Sequence, residues 1–419
     1  MILALAAQRG WCVFQLDVKS AFLHGKLAEN VYVEQPRGYE IKNEEHKVYK
    51  LNKALYGLKQ APRAWFSRIE SYFRNEGFKK EDSEQTLFTK VKQGKHLIIS
   101  LYVDDLIYTG DDEKMMSEFI ESIMKEFDMS DLGKMRYFLG IEVVQFDGGV
   151  FISQTKYVTE VLRRFGMEHS NPVENPMVPG FKIYKDENGV EMDGSFFKQL
   201  IGSLMYLTAT RPDIMYAVSI LSRYMSRPTE VHYSAAKRIL RYLQGTTKFG
   251  ILYKKEGNCE LIGFTDSDYA GSAEDRRSTS GYVFMLSGAA VAWSSQKQPI
   301  VTLSTTEAEF VAAAGSSCQA IWMQRVLKKI GYKGSESTII FCDNSSTIKL
   351  SRNPVMHGKS KHIDVRYHFL RELVNDGVVQ LQFCGTRHQL ADILTKPLKL
   401  ESFWELRWKL GVCDFSGVN

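Results

Sequence analysis

Six cysteines in 419 residues (Cys12, Cys259, Cys318, Cys342, Cys384 and Cys413) are too few and too scattered for a disulfide framework. No CxxC pair occurs among them, so no cysteine zinc site is indicated either. Long apolar runs are also missing, and no stretch reaches the roughly 20 residues that a membrane-spanning helix needs. The opening "MILALAAQRGW" lacks a basic leader and a small-residue cleavage site, and reads as the end of a core helix rather than a signal peptide. Charge of one sign is barely in excess: 54 Lys+Arg against 49 Asp+Glu leave +5, which permits a polyanionic partner without requiring one.

What is present is a globular composition, 44% hydrophobic and 25% charged, long enough for two or three cores. "WCVFQLDVKSAFL" reads as a strand ending at Asp17, and "RAWFSRIESYFRNEGF" as a helix with Trp65, Ile69, Tyr72 and Phe73 on one face. "HLIISLYV" and "LIYT" flank Asp104 and Asp105 as the arms of a hairpin. "DEKMMSEFIESIMKEF" is an amphipathic helix, and "MRYFLGIEVVQF" with "GGVFISQ" a further hairpin. A linker rich in Pro, Asn and Gly follows at 170–195, then mainly helix to 247. From 248 come four short strands, "FGILYKK", "CELIGFTDSDYA", "TSGYVFML" and "AAVAWSSQKQ". A helix over 306–330, the strand "STIIFCDN", a helical stretch at 361–374, the strand "VVQLQFCG" and a terminal helix complete the pattern. The expected fold is α+β and multidomain, ending in a mixed sheet with helices on its faces.

Two groups of carboxylates stand out. Asp17 at a strand end and Asp104–Asp105 at a hairpin tip converge if the two elements are neighbours. Three such charges without a cation repel, and hard divalent ions with oxygen ligands suit them. An Asp-Asp pair alone is more commonly plain turn chemistry. Asp266 and Asp343 end two further strands, and Asp392 lies on a helix opening "HQLADILTK". Glu307 and Glu309 face opposite sides of the intervening helix. Glu309 heads a stripe of small residues (Ala312, Ala313, Ser316, Ala320) that would let the helix approach a sheet, and both Glu309 and Glu307 stay open as a further acidic group beside these strand ends.

"QLDVKSAFLHG", "KLNKALYGLKQAPRAW", "LYVDDLIYTG" and "YFLGIEV" resemble, in order and spacing, the reverse transcriptase of copia-type LTR retrotransposons. "IGSLMYLTATRPDIMYAVSILSRYM", "TDSDYAGSAEDRRSTSGY", "LSTTEAEF", "KHIDVRYHFLRE" and "QLADILTKPL" resemble the rest of that polyprotein through its RNase H domain. The resemblance covers nearly the whole chain. It implies a palm and thumb region over 1–170, a linker and helical connection over 171–250, an RNase H-like domain over 251–400 and a tail over 401–419.

The same resemblance implies Asp17, Asp104 and Asp105 as polymerase ligands, and Asp266, Glu309, Asp343 and Asp392 as RNase H ligands. Each site would hold two Mg²⁺, with Mn²⁺ as a substitute. Phe22 matches the aromatic gate that excludes a 2′-hydroxyl, the alternative being a core residue. Gly57 and Pro62 would shape the turn beneath template and nucleotide, where a Cβ would obstruct the backbone. Lys59 and Arg63 face either phosphate or solvent. Implied partners are an RNA template, a DNA primer, dNTPs and an RNA–DNA hybrid, with no membrane; self-association or other retrotransposon proteins are further partners. The implied location is cytoplasmic, in a particle, or nuclear, and not secreted.

Basic candidates for phosphate contact are Arg276–Arg277, Lys359, Lys361, Lys237, Arg238 and Arg241, each equally readable as solvated charge. His388 lies closer to Asp392 than the family's mobile histidine does. His362 and His368 read as surface or core residues, and the turn residues after Asp268 leave its direction open. Only sixteen residues precede Asp17, where the family carries a long fingers segment. The expected activity is therefore hybrid cleavage with little primer extension; RNase H activity alone, or a silent nucleic-acid-binding relic, are the alternatives.

Overall fold

The computed structural model describes residues 1–332, 334–352 and 364–417. They form two compact units: Trp11–Met135 with Lys329–Gly331, and Met1–Gly10 with Arg136–Lys328 and Tyr332–Asn419. Helix α1 (Ile2–Arg9) buries Ala4 to Ala7 within the larger unit and ends at Gly10 in a left-handed conformation.

The smaller unit contains β1 (Val13–Val18), the hairpin β2 (Lys26–Glu34) and β3 (Val48–Lys53), and α2 (Ala61–Asn75). Strands β4 (Lys79–Lys80), β5 (Leu87–Lys92), β6 (Lys95–Tyr102) and β7 (Asp105–Gly110) follow, then α3 (Glu113–Glu126) and β8 (Met129–Lys134). The main sheet runs β4-β5-β6-β7-β1-β8. Pro62 sits in the first turn of α2, where its missing N–H costs nothing, and the expected face of Trp65, Ile69, Tyr72 and Phe73 is buried. With Met115, Phe119 and Ile123 of α3, that face covers one side of the sheet, meeting Leu16, Val18, Leu106 and Tyr108. Each such fully buried side chain contributes about 1.5–3 kcal/mol. Strand alternation then sends Gln15, Asp17 and Asp105 to the other side.

In the larger unit, β9 (Tyr137–Phe138), β10 (Ile141–Phe146), β11 (Gly149–Ser153) and α4 (Thr155–Arg164) precede a long irregular stretch. Helices α5 (Gly194–Leu207), α6 (Met215–Ser222) and α7 (Glu230–Gln244) follow. Between them Arg211, 1% exposed, clasps Asp213 and donates to the Thr246 carbonyl, while Tyr242 donates to Asp213. Next come β12 (Phe249–Lys254), β13 (Ile262–Ser267), β14 (Thr279–Leu286), β15 (Ala289–Lys297) and α8 (Thr305–Lys329). The unit closes with β16 (Thr338–Cys342), α9 (Ser345–Arg352), α10 (Asp364–Asn375), β17 (Val379–Phe383), α11 (Leu400–Lys409) and β18 (Val412–Asp414).

Two sheets result. One has the order β15-β14-β13-β16-β17, with β13, β16 and β17 parallel and β13, β14 and β15 antiparallel. This is the mixed sheet expected from the sequence, with one strand fewer. "FGILYKK", the first of the four successive strands, instead pairs as β12 with β11 and β18 in the sheet β18-β12-β11-β10-β9.

Candidate functional site

In the smaller unit the register places Asp17 opposite Asp105, because Leu16 pairs with Leu106 in the core one residue earlier. Val103 and Asp104 form the two-residue turn between β6 and β7, with Val103 at φ +57, the sign required at the first central position of a II′ turn. The Val18 amide donates to the Asp104 carbonyl at 2.9 Å, and Gln15 Nε2 to Asp105 Oδ1 at 2.9 Å. Burial, then the charges of Asp104 and Asp105, hold the Asp17 carboxyl above the ordinary range. The three acids thus share one end of the sheet, although their carboxylate oxygens do not gather within 4.8 Å of one another.

Phe22 lies on the single turn after β1, partly buried, its ring 6.0 Å from that of Tyr56. Gly57 has φ +93, and a Cβ there would meet nothing within 4 Å. Within the chain itself the positive φ is what favours glycine at this position. Lys59 and Arg63 are exposed.

The larger unit gathers the second group. Asp266 is the penultimate residue of β13 and Asp343 follows β16, its parallel neighbour, so both lie at the same edge; Glu309 reaches them from the first turns of α8. The ligand oxygens of Asp266, Glu309 and Asp343 lie within 4.8 Å of one another, the one such group of acidic, His or Cys side chains among the described residues. An all-carboxylate set at that spacing fits hard divalent cations. Burial, then the charges of Asp266 and Asp343, push the Glu309 carboxyl well above its usual range. Burial and Asp266 raise Asp343, with Lys396 opposing.

Glu307 goes elsewhere. Its Oε2 accepts from the Leu303 amide at 2.5 Å while its own amide donates to Ser304 Oγ at 3.2 Å, so it closes the N-terminus of α8. Asp392 sits on a 3₁₀ turn, Leu390–Leu394, rather than on the expected helix. Its carboxyl is raised by burial and by Asp266, and it accepts an ion pair from Lys396 at 2.9 Å.

Sequence reasoning overlooked several neighbours of this site. Lys396 Nζ also lies 3.6 Å from Asp266 Oδ2, and Thr395 Oγ1 donates to the same carboxylate. Burial would lower the lysine, but Asp266 and Asp392 outweigh it and hold it fully protonated. Thr386 donates to Asp343 Oδ2 at 3.2 Å. Gln298 Nε2 donates to Ser267, Ser280 and the Ala308 carbonyl, fastening β13 to α8. "LTKPL" stood in plain view, but lysine among acids reads as solvated charge until the fold turns it inward.

Asp268 turns away to accept from the Thr279 amide at 2.5 Å; burial raises it to about 6. Arg276 is exposed and Arg277 lies 3.6 Å from Asp275. Arg238 and Arg241 donate to Asn175 and to the Asn171 carbonyl, and Lys237 stacks on Tyr233. His388 is exposed on a short 3₁₀ turn, and His368 is exposed on α10. Lys359, Lys361 and His362 lie outside the described residues.

A sheet carrying a paired-Asp hairpin, together with a β15-β14-β13-β16-β17 sheet bearing carboxylates at its parallel strand ends, is the combination of a reverse transcriptase fold and an RNase H-like fold. The family profile described as reverse transcriptase (RNA-dependent DNA polymerase) matches residues 1–179. Over 98% of its length the chain is 40% identical to the retrovirus-related Pol polyprotein from transposon RE1 of Arabidopsis thaliana, covering 28% of that protein. Over 96% it is 41% identical to the retrovirus-related Pol polyprotein from transposon TNT 1-94 of Nicotiana tabacum, covering 31%. The chain belongs to the copia-type retrotransposon Pol family, and spans less than a third of the length of these relatives. A foamy viral protease-reverse transcriptase, solved with an RNA/DNA hybrid, shares the fold over 95% of this chain and 47% of its own, at 13% identity and a TM-score of 0.51.

Proposed function

We propose that the chain cleaves the RNA strand of RNA–DNA hybrids at the Asp266–Glu309–Asp343 site, with Asp392 as the fourth carboxylate. The observation that carries this is the convergence of three carboxylates within 4.8 Å, a spacing that mutual repulsion makes costly unless cations are bound. Mg²⁺, two ions per site with Mn²⁺ as substitute, would supply charge neutralisation, an acidified water and a stabilised leaving oxygen. Asp266, Glu309 and Asp343 hold that charge. Thr395 and Thr386 orient two of the carboxylates, and Lys396 balances Asp266 and Asp392. Incubating the purified chain with a labelled hybrid and Mg²⁺ should give RNA cleavage that EDTA abolishes and Asp343→Asn lowers by at least about 100-fold. Cleavage undiminished in that variant would sink the proposal.

A second reading rests on the register of Asp17 against Asp105 beside the Asp104 turn. These acids would serve template-directed DNA synthesis from dNTPs on an RNA template and DNA primer, with Phe22 against the sugar. Primer extension lost in Asp104→Asn, with hybrid cleavage retained, would support this reading; extension indifferent to that change would remove it.

A further inference from the structure

We infer that Trp65 is a positioning residue for the paired-Asp hairpin, acting through its indole N–H on the turn that carries Asp104. This rests on the polymerase reading of that hairpin. Trp65 is 1% exposed, and its Nε1–H donates to the Val103 carbonyl at 2.6 Å. The carbonyl belongs to the residue held at φ +57, the left-handed region that a β-branched side chain rarely enters. A hydrogen bond on that peptide opposes its relaxation toward ordinary φ, and any rotation there swings Asp104 next along the chain.

The donor itself cannot drift. The Trp65 ring packs edge-on against Phe127, centroids 5.4 Å apart at 85°, and lies 5.9 Å from the ring of His24. Two further bonds fix the same tip from β1: the Val18 amide to the Asp104 carbonyl, and Gln15 to Asp105 Oδ1, both 2.9 Å. The bond from β1 restrains the Asp104 carbonyl, and Gln15 holds the second carboxylate. Trp65 alone of the three grips Val103, which is 45% exposed. The geometry therefore makes the indole N–H, and not merely the ring's bulk, the part that sets where Asp104 stands relative to Asp17.

The test compares the full chain with Trp65→Phe, and with the benzothiophene analogue of tryptophan at 65, which keeps the bicyclic volume and lacks the N–H. Mn²⁺ binding is followed by electron paramagnetic resonance, the share due to this site being the difference between the unmodified chain and Asp104→Asn. Expected are an unfolding midpoint within a few degrees of the unmodified chain, hybrid cleavage unchanged, and Mn²⁺ affinity of this site lowered about tenfold or more. Primer extension should lose about 10- to 100-fold in kcat with KM for dNTP nearly constant. Unchanged Mn²⁺ affinity and kcat in the folded analogue would overturn the inference. An unmodified chain whose Mn²⁺ binding equals that of Asp104→Asn would overturn the polymerase reading, and this inference with it.

Discussion

Asp343→Asn should make the metal-free larger unit more stable while it destroys cleavage. With oxygens at most 4.8 Å apart, each carboxylate pair in the triad repels by about 3.5 kcal/mol at an effective dielectric of 20. Partial protonation of the raised carboxyls and the nearby Lys396 reduce this, so removing one charge returns about 1–2 kcal/mol. Asparagine keeps an acceptor for Thr386, so little is lost in exchange. The midpoint should rise by roughly 2–6 °C at pH 8 in EDTA.

The sign with pH follows from the direction of the shift. Asp343 is raised in the fold, so its ionised form costs stability above its unfolded pKa of about 4 and costs nothing well below it. The gain from asparagine should therefore be largest near pH 8 and vanish toward pH 4. Adding Mg²⁺ should stabilise the unmodified unit and erase the difference. A variant equally or less stable at pH 8 without metal, or a gain independent of pH, would refute the electrostatic reasoning.

Glu309→Gln should abolish hybrid cleavage, whereas Glu307→Ala should leave cleavage within about twofold and lower stability by about 1 kcal/mol through the lost cap; the reverse pattern in paired cleavage and unfolding assays would exchange their roles. Gly57→Ala should cost about 1–2 kcal/mol in urea unfolding, because φ +93 strains any Cβ-bearing residue although space is open; equal stability would show that the turn adapts. Arg211→Met should cost about 3–5 kcal/mol by removing the ion-pair partner of buried Asp213, which then keeps only the Tyr242 hydroxyl; a loss under 1 kcal/mol in urea unfolding would mean that the pair is dispensable.

Much of this was legible because the relevant signals are local. Apolar alternation around "LYVDDLIYT" needs only neighbouring residues to announce a hairpin, and the strand ends at Asp266 and Asp343 are marked by the turn residues after them. The small-residue stripe favoured Glu309 while leaving Glu307 open, since close helix–sheet approach is a steric demand written into side-chain size. Non-local pairing was harder. Nothing in "FGILYKK" tells which sheet it joins, because β12 satisfies its edges with β11, about a hundred residues earlier, and with β18 near the end of the described chain. Lys396 and Thr395 were hidden for the same reason: their partner Asp266 lies some 130 residues away. The 3₁₀ turn at Asp392 escaped because "QLADILT" has helical spacing over too few residues to separate the two helix types.

The most direct measurement of the central claim, that these carboxylates are gathered to hold divalent cations, is anomalous diffraction from crystals soaked in Mn²⁺. The account predicts anomalous density within ligand distance of Asp266, Glu309 and Asp343, with Lys396 withdrawn from Asp266. No density there, with Lys396 still bridging Asp266 and Asp392, would contradict it.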